Sequence, residues 1–338
     1  MKILITGGLG FIGINLIKDI IKNKKIKIFN VDKISYCSMP EALDNIKINK
    51  NYNFKKIDIY DYSKFKRYFF KIKPDKVINL AAESHVDNSI KNPDVFIKSN
   101  IFGTYNLLKI CNEYLTITKK KNFKLLHVST DEVFGSLNEK SIAFTENSNF
   151  NPNSPYSSSK ASSDLLVKAW HKTFKIPILI TNCSNNFGPW QFPEKLIPVI
   201  INQCINKKPI PIYGNGTNIR DWIFVKDHIR ALKLVLSKGK IGQTYNIGTN
   251  NEKNNLKLAN LICEYFNKKY KKDKFNYQTL ISFVDDRKGH DYRYAINNKK
   301  IKNQLGFKYK KNFMKNLEIT INWYIDNKEW LRKKRKTK

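Results

Sequence analysis

The sequence predicts an α/β fold: a doubly wound parallel sheet joined to a smaller mixed α/β domain. Three observations predict it. Through the first half of the chain, short apolar runs of strand length alternate with stretches of helical periodicity, the rhythm of successive βαβ units. The first run ends in a glycine-spaced turn, TGGLGFIG, that opens directly onto a helical pattern. After about Asn186 the rhythm breaks into proline-rich and mixed segments such as GPWQFPEKLIP and KKPIPIYGNG, where the second domain begins.

In chain order, KILIT (2–6), IKIFNV (26–31), KVINL (76–80), KLLHV (124–128) and IPILITN (176–182) read as buried strands. Residues 1–185 form the dinucleotide-binding domain, completed by parts of 221–250, and 186–330 mainly form the second domain. The basic segment 331–338 is expected to be a disordered tail. A length of 338 residues fits roughly two domains, and 41% hydrophobic with 13% aromatic residues supplies their cores. No apolar stretch reaches the roughly 18–20 residues of a membrane helix, and glycines interrupt the start where a secretory signal would be unbroken. A cytoplasmic protein without a membrane partner is expected.

The cysteines at 37, 111, 183, 204 and 263 are odd in number and scattered, so neither a disulfide framework nor a metal site is indicated. Lys and Arg number 62 against 28 Asp and Glu, a net charge of +34. Such an excess raises nucleic-acid binding through phosphate neutralisation. The lysines are spread along the chain, however, with no aromatic-interleaved basic stripe. The excess reads as solvated surface and attraction for anionic small molecules, with no nucleic-acid partner.

Gly7, Gly10 and Gly13 let the backbone pass close to a pyrophosphate seated on the positive end of the helix that begins at Phe11 and Ile12. Asp32 follows 19 residues after Gly13, at the end of the second strand, where a carboxylate binds a ribose 2′-hydroxyl. It favours NAD over NADP, whose 2′-phosphate it would repel. In SPYSSSK, Ser154 caps a helix and Pro155 suits its first turn, so Tyr156 and Lys160 share one face. The ammonium, helped by a positive nicotinamide ring, is expected to lower the phenol's pKa until it accepts a proton from a sugar hydroxyl. In STDEVFG, Asp131 and Glu132 emerge at the carboxyl end of the KLLHV strand. An Asp-Glu dipeptide alone is usually a solvated cap, and taken by itself this one reads so.

These motifs resemble the extended short-chain dehydrogenase/reductase family and, within it, the nucleoside-diphosphate-glucose 4,6-dehydratases of the dTDP-glucose type. The resemblance runs from TGGLGFIG through AAESHVDNSI, STDEVFG, PYSSSKA, NNFGPWQFPEKLIP and YGNGTNIRDWIFVKDH to DRKGHDYRY. Thr130-Asp131-Glu132 discriminates, because epimerases and decarboxylases of this fold do not usually carry the adjacent carboxylates. The resemblance implies a Rossmann fold, NAD, a homodimer, and a dTDP-glucose substrate with UDP-glucose as the alternative, in deoxysugar and rhamnose biosynthesis. A 4-epimerase, a decarboxylase and a non-catalytic NAD-binding protein are the rival readings.

It further implies roles for single residues. Tyr156 takes the proton from the glucose 4-hydroxyl, Glu132 removes the C5 proton, and Asp131 protonates the departing 6-hydroxyl. Thr130 bonds the sugar 4-oxygen and Lys160 holds the nicotinamide ribose. Leu80, Ala81 and Ala82 line the cofactor, Asp58 and Ile59 flank the adenine, and Ser84 and His85 face the sugar. Asn185, Lys195, Arg220, Asn255, Arg287 and His290 hold the diphosphate and nucleoside. Four positions depart from the family pattern: Phe134 and Phe187 replace tyrosines, Lys288 a proline, and Asn88 an arginine.

Overall fold

The computed structural model describes residues 1–310 and 312–336. Its main sheet contains β1 (Lys2–Thr6), β2 (Lys27–Asp32), β3 (Tyr52–Lys56), β4 (Lys76–Asn79), β5 (Lys124–Thr130) and β6 (Ile178–Cys183), with the strand Thr244–Ile247 beyond β6. The spatial order is Thr244–Ile247, β6, β5, β4, β1, β2, β3, and every neighbouring pair is parallel. The chain starts in the middle and winds outward first one way, then the other. Helices therefore cover both faces, and a crevice opens between β1 and β4 at the carboxyl ends of the strands. Burial on both faces explains why the strands read as unbroken apolar runs: Ile3, Leu4 and Ile5 are at most 2% exposed.

The second region is not a separate piece of chain. After β6 the chain leaves the sheet, and it returns at Thr244 to add the seventh strand. Around this return, the strands Asn185–Phe187, Ile219–Phe224, Glu252–Asn254 and Arg293–Tyr294 form a small mixed sheet, while Ile210–Tyr213 pairs with Ile281–Val284. One apolar cluster joins Leu16 and Ile17, behind the glycine turn, to Ile223, Ile262 and Leu317 of the second region. The opposite face of the sheet has its own core around Phe65, Phe69, Leu107 and Tyr114.

The basic segment differs from its expected disorder. A helix runs Lys328–Lys336, with Leu331 1% exposed. The Trp330 indole donates to Glu41 Oε1 at 2.8 Å, and Trp330 packs on Trp190 and Trp323. Two apolar anchors hold the charged run in place; residues 337–338 lie outside the described residues. No helix among the described residues is long and apolar enough to cross a membrane.

Candidate active site

Backbone contacts shape the crevice at the end of β1. Gly7 has φ +70°, and a Cβ there would stand 2.6 Å from the Ala81 backbone; one on Gly13 would stand 2.6 Å from the Gly7 carbonyl oxygen. Only glycine allows the turn to close against the end of β4. From this turn a groove runs past Phe11, Ile12, Leu80 and Ala82 to Thr130, Tyr156 and Lys160. In the other direction it reaches Asp32, Asp58, Ile59 and Ala81. The helix Phe11–Ile20 points its N-terminus into the groove. Asp32 is fixed there by hydrogen bonds accepted from Leu9 N at 3.0 Å, Ile34 N at 2.8 Å and the Ser38 hydroxyl at 3.1 Å. Burial pushes its carboxyl up, and those three bonds and Lys33 pull it back. A cradle that any Cβ would fill, a helix N-terminus and a fixed carboxylate fit a dinucleotide's pyrophosphate and ribose.

β5 ends at Thr130, and one tight helical turn, Asp131–Phe134, follows. The Thr130 hydroxyl oxygen accepts from Glu132 N at 3.3 Å and so caps that turn. Asp131 is 2% exposed. Burial, then the neighbouring Glu132 and Asp221, push it well above the usual carboxylate range, with Arg220 opposing. Burial holds Glu132 above the usual carboxylate range as well, though three cations, Arg220, Lys195 and Arg287, oppose the shift. The environments divide the pair, with Asp131 favouring the proton-holding state and Glu132 facing the positive charge that supports a carboxylate.

Tyr156 and Lys160 lie on the helix Pro155–Phe174, whose start carries the expected cap. The Ser154 hydroxyl accepts from Ser157 N at 3.1 Å, and the Ser157 hydroxyl accepts from Ser154 N at 3.0 Å. In the protein alone the phenol's surroundings push the other way, and the expected lowering depends on the nicotinamide charge as well. Burial first, then Glu132, Cys183 and Asp131, push Tyr156 well up, and the Thr130 hydroxyl pulls it back. Lys160 instead donates to the Val128 carbonyl at 3.0 Å. Spacing places the two side chains on one face, but only packing reveals how strongly burial disfavours the phenolate.

A second cavity adjoins the groove. His85, Asn185, Lys195, Arg220, Asn255, Arg287 and His290 all line it, with Glu132 at the junction of the two spaces and Ser84 on the groove side. Arg220, 6% exposed, donates to the carbonyls of Ile219, Asp291 and Tyr292 and lies 4.2 Å over the Tyr294 ring. Backbone oxygens hold it, which leaves its charge for an anion in the cavity. Lys195 donates to Ser84 O at 2.7 Å, Arg287 pairs with Asp87 at 2.8 Å, and His290 Nδ1 lies 2.6 Å from Asp286. Asn185 Oδ1 is buried without a hydrogen-bond partner, and the residue lines the cavity.

Sequence reasoning missed Gln191, Glu194, Tyr213, Asp291 and Tyr294, which line the same spaces. Gln191 and Glu194 lie within NNFGPWQFPEKLIP, and Asp291 and Tyr294 within DRKGHDYRY, so extending each motif from its cation would have found them. The departures are absorbed by packing. Phe134 stacks on Phe144 at 5.3 Å, and Phe187 is 1% exposed among Trp222, Phe224 and Phe313. Asn88 donates to the Tyr36 hydroxyl at 2.9 Å, and Lys288 is exposed.

Fold and site together define a dinucleotide-binding enzyme of the α/β class, with a Tyr/Lys pair and two adjacent carboxylates beside a cation-lined cavity. The chain belongs to the GDP-mannose 4,6 dehydratase family, whose model matches residues 4–320. It is 48% identical to a dTDP-glucose 4,6-dehydratase of Salmonella typhimurium, over 98% of this chain and 94% of that protein. The crystal structure of dTDP-glucose 4,6-dehydratase from Bacillus anthracis in complex with NAD superposes with a TM-score of 0.87 at 40% identity, covering 99% of both chains. That of the Streptomyces venezuelae dTDP-glucose 4,6-dehydratase with NAD and dTDP bound gives 0.90 at 35% identity, covering 98% of both.

Proposed function

We infer that the protein converts dTDP-glucose to its 4-keto-6-deoxy sugar with loss of water. The observation that carries this reading is the pair Asp131 and Glu132, one buried and one half-buried side by side where groove and cavity meet, with environments that differ as an acid and a base require. Gly7, Gly10, Gly13 and Asp32 would hold NAD, which when bound would supply hydride acceptance at C4, hydride return at C6 and, while oxidised, a positive charge beside the phenol. Tyr156 accepts the proton of the 4-hydroxyl, with the Thr130 hydroxyl beside it. The C4 ketone acidifies the C5 hydrogen, and Glu132 removes it. Asp131 delivers its proton to the 6-hydroxyl, which leaves as water, and a proton returns to C5. Lys195, Arg220 and Arg287 face the diphosphate.

On this reading the protein is a cytoplasmic homodimer. Its free cysteines support a reducing compartment. The exposed Tyr105 and Leu165, on the helices Gly103–Thr118 and Pro155–Phe174, support association of those faces.

Single-turnover absorbance of bound NADH, with mass spectrometry of the sugar in heavy water, tests the chemistry. Glu132→Gln should cut C5 exchange by roughly 10² or more while C4 oxidation proceeds. Asp131→Asn should slow water loss and leave NADH formation visible. Parent-rate dehydration by both variants, or a parent enzyme that yields only the 4-epimer, would sink the reading.

A further inference from the structure

The reaction leaves one fully buried charge without a task. Asp164 is 0% exposed and lies one turn beyond Lys160 on the helix that carries Tyr156. Its Oδ2 accepts from Asn182 Nδ2 at 3.0 Å, and the same amide donates to the Thr130 carbonyl at 3.0 Å. Its Oδ1 stands 3.2 Å from His127 Nε2, off the line of a hydrogen bond, so that contact is electrostatic.

Behind His127, 1% exposed, a buried polar chain crosses the sheet. Ala81 N donates to the Thr6 hydroxyl oxygen at 3.4 Å, and that hydroxyl donates to Asn79 Oδ1 at 2.6 Å. Asn79 Nδ2 lies 3.0 Å from His127 Nδ1. With the Asn79 oxygen already accepting, its amide donates, which leaves the ring proton on Nε2 facing Asp164. Burial, then Lys160, push the His127 pKa down and keep the ring neutral. His127 precedes Val128, whose carbonyl accepts from Lys160. One helix face thus grips two consecutive residues of β5.

A buried carboxylate among neutral donors is costly unless an opposite charge faces it. Lys160 precedes Asp164 by one turn and Lys168 follows it by one, while His127 faces it from β5. Lys168 is half-buried, its ammonium 4.5 Å over the Phe150 ring. Lys160 is 4% exposed, and its own surroundings hold Cys183 from β6, His127 from β5 and Tyr156 from the same helix, with Asp131 and Glu132 beyond the phenol. We propose that Asp164 is a positioning residue: it supplies the countercharge that keeps the Lys160 ammonium seated on Val128 beneath the C4 oxidation, and through Asn182 it ties that seat to Thr130. The proposal rests on the reading of Tyr156 and Lys160 as the oxidising pair. The electrostatics agree with the geometry, because burial lowers Lys160 and Asp164 and Cys183 oppose it.

Asp164→Asn keeps the side chain's shape and its acceptor for Asn182 but removes the charge. Removing a negative neighbour makes Lys160 lose its proton at lower pH. The alkaline limb of single-turnover C4 oxidation should therefore move down by about one pH unit or more, with the rate below that limb close to the parent's. A limb left in place, or a loss equal at every pH, would overturn the proposal. A second measurement needs no change at Asp164. In the folded parent, ¹⁵N NMR of the lysine side chains, with Lys160 assigned by Lys160→Arg, should show the ammonium persisting above about pH 8. A Lys160 already neutral at pH 7 overturns the proposal without reference to turnover. A parent enzyme that releases no keto sugar would instead sink the functional reading and leave this titration standing.

Discussion

The groove in front of β1 is walled by main chain, and the cavity beside it by side chains. Gly7, Gly13 and Ala81 make the first by letting backbone approach backbone, within a few residues of the end of one strand and the start of one helix. His85, Asn185, Arg220, Asn255 and Arg287 make the second, and they arrive from segments far apart in the chain. The charges differ as well. The groove presents a fixed carboxylate, Asp32, to a ribose; the cavity presents cations held by carbonyls or by single acids. A binding surface made of backbone tolerates almost no added atom. One made of side chains loses a contact at a time.

Substitutions that should separate the two regions break or sharpen this contrast. Gly13→Ala places a methyl 2.6 Å from the Gly7 carbonyl oxygen and the Gly8 Cα, so NAD released on denaturing the purified variant should fall below detection. Calorimetric titration with dTDP should still register binding at the cavity; equal loss of both ligands would mean the two regions are one unit. Tyr156→Phe should retain both ligands and lose C4 oxidation by about 10² to 10⁴, read as single-turnover NADH absorbance. Normal turnover would require another proton acceptor. Arg287→Ala removes one charge-assisted contact worth about 1.5–3 kcal/mol, so KM for dTDP-glucose should rise roughly tenfold or more with kcat little changed. A fall in kcat with KM unchanged would move Arg287 from holding the diphosphate to acting in the transition state.

The smallest effect concerns stability. Burial raises the folded-state pKa of Asp131, so its contribution to stability is fully present below its unfolded value and is lost as pH rises through the folded value. Asp131→Asn should therefore raise the melting temperature by a few degrees near pH 8 and by much less near pH 4. An equal rise at both pH values would assign the gain to packing rather than to the buried charge.

Legibility in the sequence follows the same division. The glycine turn, Asp32, the Ser154 cap with Tyr156 and Lys160, and the carboxylates at the end of β5 are local arrangements, and spacing alone placed them. The cavity residues were legible only through resemblance, because no periodicity links Lys195 to Arg220 or Arg287. The helical basic tail escaped the reading because its charge outnumbers the Trp330 and Leu331 that fix it.

By itself the sequence determined the parallel sheet, the alternation of strands with helices and the chemical kinds of group at the strand ends, since strand period, glycine spacing and helix caps act over a few residues. Tertiary structure alone decided the rest. It returned Thr244–Ile247 to the sheet and buried the phenol of Tyr156 beside Glu132, Cys183 and Asp131. It also set Asp164 behind Lys160 with His127 and Asn182. These outcomes depend on desolvation and on charges brought together from distant segments, and both exist only once the chain has closed around them.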